Sequence, residues 1–159
     1  MQDKEYMAVM IQSLEKKRDI LDLIIEKNRE QKILFSEEDS DPDRLEENMH
    51  EKSRLVDQLN QLDEGFQQVY DRIKPALQKD KESYKEEVGI MKQLIAEITE
   101  KSTTIQAQEH RNRELAVKRF ALVKGNIRQA RTSNKVASQY YQNMSRVNVG
   151  DSHFMDSKK

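Results

Sequence analysis

The chain has 159 residues, of which 35% are hydrophobic, 6% aromatic and 36% charged, and its formal net charge is −1. This composition can supply a seam between long helices but not the thick core of a large globular domain, and the absence of cysteine excludes disulfides, thiolate zinc sites and thiol catalysis. No apolar run near the N-terminus is long enough for a signal peptide or a membrane span, so we expect a soluble, cytoplasmic protein without membrane contact.

The first predicted helix covers residues 3–35, because apolar residues recur there at intervals of three and four or their sums. An acidic loop follows at residues 36–43. Within it, Asp41 is the predicted N-cap of the next helix and Pro42 its first residue. The apolar stripe of the first helix consists of Met7, Met10, Ile11, Leu14, Leu21, Ile24, Ile25 and Leu34.

The second predicted helix covers residues 42–74 and has a near-heptad seam, typical of a coiled coil. Two polar residues, Asn48 and Lys52, occupy seam positions near the loop. Pro75 disfavours helix at the preceding residue, so we expect the chain to reverse within residues 74–81. A single helix kinked at Pro75 is the alternative. The apolar seam positions are Leu45, Leu55, Leu59, Leu62, Phe66, Val69 and Ile73.

The third predicted helix covers residues 80–131. Its seam keeps the same spacing until Ala116 and then shifts phase, as in a coiled-coil stutter. The seam up to the shift is Tyr84, Val88, Met91, Ile95, Ile98, Ser102, Ile105, Glu109, Asn112 and Ala116, and after it Phe120, Val123, Ile127 and Ala130.

These elements predict an all-α fold of three long antiparallel helices in a coiled-coil-like bundle (residues 1–132), with a flexible C-terminal tail (residues 133–159). The third helix is about 75 Å long against about 45 Å for the first. With a turn near residue 78, residue 42 lies opposite residue 114, and the helix beyond that point is an overhang. Since the apolar stripe continues there, we expect it to bind a partner. The candidate partner-binding residues are Phe120, Val123 and Ile127 in the overhang, and Tyr140, Tyr141, Met144, Phe154 and Met155 in the tail.

Charge is distributed unevenly along the chain. Residues 1–110 hold 26 acidic and 17 basic residues, whereas residues 111–146 hold nine basic residues and a single acidic one, Glu114. Such a split favours a docking surface. For part of this charge asymmetry, the alternative to a docking surface is pairing of the basic section with the acidic loop. For the tail aromatics, the alternative to partner binding is packing over the end of the bundle.

No catalytic, metal-binding, cofactor-binding or small-molecule site is expected. The three histidines, His50, His110 and His153, are far apart in sequence and are expected on the surface, and no glycine-rich phosphate-binding motif is present. The basic helix 111–131 could track phosphates, but the acidic body and a pI near 6.3 disfavour nucleic acid as a partner.

Three stretches resemble the FlgN-type flagellar export chaperones. They are "KSRLVDQLNQLDEGFQQVYDRIK", "KSTTIQAQEHRNRE" and the ending "IRQARTSNKVASQYYQNM…FMDSKK". FliT-like chaperones, which serve the filament cap, are the neighbouring family. The resemblance implies a non-enzymatic protein of type III secretion that holds hook–filament junction substrates in the cytoplasm and delivers them to the export apparatus. It also implies substrate contact through the C-terminal region.

Two other functions stay open at this point. One is a coiled-coil adaptor or stalk protein that forms a homodimer through the overhang. The other is a basic-helix nucleic-acid binder.

Overall fold

A computed structural model describes residues 2–37, 40–122, 135–140 and 142. Its three long helices are α1 (Gln2–Ser36), α2 (Pro42–Lys79) and α3 (Lys85–Leu122), and a 3₁₀ turn at Glu82–Tyr84 precedes α3. Residues 135–140 are also helical and are called the C-terminal segment below. The predicted all-α fold is confirmed.

The helices run up, down and up, with α1 packed along both of the others. Its antiparallel relation to α2 follows from two ion pairs, since Lys17 contacts Asp63 whereas Lys27 contacts Glu51. The parallel relation to α3 follows because Arg18 contacts Glu97 whereas Asn28 donates a 3.0 Å hydrogen bond to Gln108. Helices α2 and α3 are therefore antiparallel to each other, and they meet through side chains such as Lys52 and Glu109.

One continuous apolar cluster runs along the seams of the three helices. Unbranched methionines supply its N-terminal end, where Met7, Met10 and Met91 have no exposed surface. Flexible thioether side chains fill irregular gaps at little conformational cost, which suits a core with few aromatics. The other buried members include Leu14, Leu21, Ile24, Val56, Leu59, Phe66, Tyr70, Ile73, Leu94, Ile95, Ile98 and Ile105.

Helix α2 begins as the sequence predicts. Asp41 has an extended backbone, and its side chain accepts a hydrogen bond of 2.9 Å from the backbone N–H of Asp43. Pro42 follows at the start of the helix, where its missing N–H has no partner to lose. The predicted cap is therefore confirmed.

The end of α2 differs from the prediction, because the helix continues through Pro75 to Lys79. Leu77 packs against the apolar cluster beyond the proline, and this burial offsets the lost backbone hydrogen bond. Asp80 then leaves the helical region, and its carboxylate accepts a 2.7 Å hydrogen bond from the Ser83 hydroxyl. The chain reverses here, so α2 and α3 are separate helices.

The loop end of the bundle reaches further along α3 than expected. Ala116 is buried, and the ring of Phe120 meets that of Phe35 edge to face with centroids 6.3 Å apart. Leu45 and Met49 of α2 belong to the same small apolar cluster. The prediction that α3 lacks a partner helix beyond residue 114 is therefore wrong as far as Phe120, because the end of α1 and the start of α2 cover it.

Candidate partner-binding surface

A layer of buried polar side chains crosses the bundle about three turns from its loop end. Asn112 donates hydrogen bonds of 3.1 Å to the Gln31 side chain and 3.0 Å to the backbone carbonyl of Asn28. Asn48 donates one of 3.0 Å to the carbonyl of Lys27. The layer interrupts an otherwise apolar seam in all three helices. Its members are Asn28, Gln31, Asn48, Lys52, Gln108, Glu109 and Asn112.

An ion pair between Lys52 of α2 and Glu109 of α3 lies within this layer. The Lys52 ammonium contacts Oε1 of Glu109 and donates a 3.2 Å hydrogen bond to Gln31. The Lys52 side chain has no exposed surface, and only 10% of the Glu109 side chain is exposed. Two charges have therefore been removed from water together, which is costly unless each keeps its hydrogen bonds.

Burial changes the protonation equilibria of both groups. It lowers the pKa of Lys52 from 10.5 to about 8, although the nearby carboxylate of Glu109 opposes the change. Burial also raises the pKa of Glu109, and here Lys52 opposes the change. Since the Lys52 value stays above 7, the Lys52 ammonium is expected to be charged at neutral pH.

Tyr140 of the C-terminal segment completes this arrangement. Its hydroxyl donates a 2.8 Å hydrogen bond to Oε1 of Glu109, and its ring centroid lies 3.8 Å from Nζ of Lys52. Only 4% of Tyr140 is exposed. A cation placed over a ring face away from water is stabilised by about 2 kcal/mol. Tyr140 thus satisfies both charged partners at once, with the ring facing the ammonium and the hydroxyl facing the carboxylate.

The structure describes two of the eight predicted partner-binding residues. Tyr140 packs against α2 and α3, as expected of the alternative in which the tail folds onto the bundle, and Phe120 packs half-buried against Phe35. The other six lie outside the described residues: Val123, Ile127, Tyr141, Met144, Phe154 and Met155.

The basic section contacts the acidic loop through Arg119. Its guanidinium donates to the backbone carbonyl of Glu37 and, at 3.2 Å, to the Ser40 hydroxyl. Among the described residues, the two groups meet through this carbonyl and this hydroxyl. The contact holds Glu37 and Ser40, on either side of the loop, against α3.

An open groove of about 1000 Å³ lies between α1 and α3 on another side of the bundle. Ile33 projects into it with 56% of its surface exposed, and Arg29, Lys32 and Arg111 surround it. Glu37 also lines the groove, so its edges carry both signs of charge with basic residues in excess.

Sequence reasoning did not assign a role to Lys52 and Glu109. The spacing predicts both as seam residues, and it marks only Lys52, with Asn48, as an interruption of the apolar content. The sequence does contain a signal for this polar layer. When neighbouring helices are paired antiparallel, polar residues occupy seam positions at the same level of all three helices. Polar residues at such positions specify register and partner choice at a cost in stability.

Other kinds of site find no support within the described residues. No group of three His, Asp or Glu residues could hold a metal ion there. None of the described helices is long and apolar enough to cross a membrane. His50 and His110 are exposed beside Glu46 and Glu114 of the same helices, as predicted for surface histidines, and His153 lies outside the described residues.

The chain was compared with protein families, curated proteins and solved structures. The family model described as FlgN protein matches residues 6–146, which include all three helices and the C-terminal segment. No curated protein and no solved structure matches the chain. Because the family match covers most of the sequence, the chain belongs to the FlgN family.

Proposed function

We propose that this protein is a cytoplasmic flagellar export chaperone that binds an amphipathic helix of a hook–filament junction protein and prevents its premature assembly. The FlgN family match over residues 6–146 is the observation that carries this proposal, because the family supports a flagellar export chaperone role. Delivery of the cargo to the type III export apparatus belongs to the same proposal.

The shape of the bundle is suited to capturing a helix. A groove lies between α1 and α3, and Tyr140 packs where Lys52 of α2 meets Glu109 of α3. A cargo helix at either place would bury an apolar stripe against preformed helices, which is how helix-in-groove recognition gains affinity. At the loop end, Val117 is 60% exposed and Phe120 is half-buried, so an apolar face continues towards the C-terminal part of α3.

Binding to a purified hook–filament junction protein, measured by isothermal titration calorimetry, tests the proposal. We expect a stoichiometric complex for the unaltered chain. Replacing Phe120 and Ile127 together by alanine should weaken binding, because it removes apolar area from the proposed contact face. The control variant carries Val9→Ala and Leu23→Ala, which remove comparable exposed apolar side chains from α1. It should bind like the unaltered chain.

Circular dichroism of both variants separates a lost contact from a lost fold. Phe120 also packs against Phe35, so the helicity and the thermal midpoint of the Phe120→Ala/Ile127→Ala variant must be measured beside its affinity. Absence of any complex with the unaltered chain would overturn the proposal.

Light scattering addresses the adaptor alternative. A dimer that persists without cargo and that shows no affinity for junction proteins would favour an oligomerising adaptor. Binding of duplex DNA or RNA that weakens steeply with salt would favour the nucleic-acid alternative.

A further inference from the structure

The Lys52–Glu109 pair has the properties of a binding site, and Tyr140 of the same chain occupies it. A tyrosine ring lies over a buried ammonium, and its hydroxyl reaches the carboxylate paired with that ammonium. Well-packed apolar residues of similar volume stabilise a core as well as a buried ion pair does, or better. The ion pair is therefore poorly suited to stabilising the core, but it is well suited to recognising a group that offers both a π face and a hydroxyl.

We propose that Lys52 and Glu109 form a recognition site for a tyrosine on the cargo helix, and that Tyr140 occupies this site in the free chain. Cargo and the C-terminal segment then compete for the α2–α3 side of the bundle. This inference rests on the proposed function, because it specifies how the chaperone would recognise its cargo.

The C-terminal segment shows which kind of helix the site accepts. Ala137 and Tyr140 are buried, whereas Lys135, Ser138 and Gln139 are exposed. Residues three apart lie on the same face of a helix, so the buried pair faces the bundle together. A small residue one turn before the tyrosine lets the helix backbone come close. The expected cargo motif is therefore a small residue, two residues of any type and a tyrosine.

The site also has an unused acceptor. Oε2 of Glu109 is buried and accepts no hydrogen bond of normal geometry from the described residues, although the Asn28 amide lies close enough to the carboxylate to lower its pKa. A cargo helix that carries a second donor beside its tyrosine could satisfy this oxygen, which the C-terminal segment leaves unsatisfied. Satisfying a buried acceptor favours the new complex over the internal contact.

The internal contact can be exchanged for a cargo contact. The described part of the C-terminal segment, residues 135–140, faces the bundle through Ala137 and Tyr140. A cargo helix with further apolar residues beyond its tyrosine can add contacts along the bundle. The internal contact would then be lost without unfolding the three long helices.

Thiol labelling tests the internal contact. Because the chain has no cysteine, Ala137→Cys introduces a single thiol on the buried face, and Ser138→Cys places the matched control on the exposed face. We expect alkylation of Cys at position 137 to be at least about ten-fold slower than at position 138, as for a site that reacts only after local opening. Adding Lys52→Met with Glu109→Gln should remove this difference, with helicity unchanged by circular dichroism. Equal rates at the two positions in the otherwise unaltered chain would overturn the proposal.

Peptides test the tyrosine requirement directly. The full chain carrying Tyr140→Ala serves as receptor, so that its own tyrosine does not fill the site. A peptide of residues 133–142 at millimolar concentration should shift the amide resonances of Lys52 and Glu109, and the same peptide with Tyr140→Ala should not. Identical effects of the two peptides, or none from either, would contradict a tyrosine site.

A purified hook–filament junction protein then tests the competition. Its binding should raise the alkylation rate at position 137 to that at position 138. If calorimetry shows binding but position 137 stays protected, the competition is wrong while the proposed function stands. If no junction protein binds, the proposed function fails and the competition fails with it, whereas slow alkylation and the peptide result would still support the tyrosine site.

Discussion

Nζ of Lys52 lies 3.8 Å from the centroid of the Tyr140 ring, and both side chains are almost completely buried. Lys52 belongs to the polar layer near the loop end of the bundle and Tyr140 to the part of the chain after α3. Their contact joins the helical body to the region for which the sequence predicts partner binding. Substitutions at Lys52 and Glu109 therefore test both the stability of the bundle and its contact with the C-terminal segment.

Removing one member of the ion pair should destabilise the protein more than removing both. Lys52→Met leaves Glu109 as an unpaired buried carboxylate, and breaking a buried pair in this way costs about 3–5 kcal/mol. Lys52→Met with Glu109→Gln removes both charges, and we expect most of that loss to be recovered. Urea unfolding at pH 7 gives the free energy of unfolding of each variant and of Glu109→Gln alone. Equal losses for Lys52→Met and the double variant would show that the pair is not coupled.

The pH dependence of stability should reveal the lowered pKa of Lys52. The folded value is about 8 and the ordinary value 10.5, so between these limits the unfolded chain binds more protons than the folded one. The free energy of unfolding contributed by Lys52 therefore rises with pH through this window, by at most about 3 kcal/mol.

The matched reference for this measurement is the Lys52→Met/Glu109→Gln variant, in which neither group titrates. The difference in free energy of unfolding between the unaltered chain and this variant should increase from pH 8 to pH 9.5. A difference that stays constant or falls would mean that Lys52 has an ordinary or raised pKa.

Pro75→Ala should stabilise the protein. Pro75 lies inside α2 with its side chain exposed, where it removes one backbone hydrogen bond and buries nothing. Proline inside a helix costs about 3 kcal/mol relative to alanine, and part of that is returned because proline restricts the unfolded chain. We expect a net gain of about 1–2 kcal/mol in thermal or urea unfolding. The control Gln78→Ala, on the exposed surface of the same helix, should change stability by less than about 0.5 kcal/mol.

Two helix-interior glycines offer a second route to stabilisation. A Cβ atom added at Gly65 or Gly89 would meet no other atom within 4 Å. Alanine should therefore add about 1 kcal/mol at each position through helix propensity, without a clash. Because the two lie in different helices, the effects should add in the double variant. A loss of stability in either single variant would show that a side chain at that position blocks a close contact that the structure does not contain.

Local periodicity in the sequence predicts the helices and most of their buried faces. The three- and four-residue spacing identified most of the core, including the polar seam residues Asn48, Lys52, Glu109 and Asn112, because an amphipathic stripe depends only on local periodicity. The start of α2 was also predictable, since the cap at Asp41 and the proline after it act within one turn.

What each buried face contacts depends on how the helices pack together. Only the packing shows that Phe35 covers Phe120, and only burial of Leu77 explains why α2 continues past Pro75. The joining of Lys52, Glu109 and Tyr140 likewise depends on where three distant parts of the chain lie in space. Periodicity indicates which side of a helix is buried but not which residue of another helix lies opposite. That relation is set by the register of the bundle and by the position of the C-terminal segment on it.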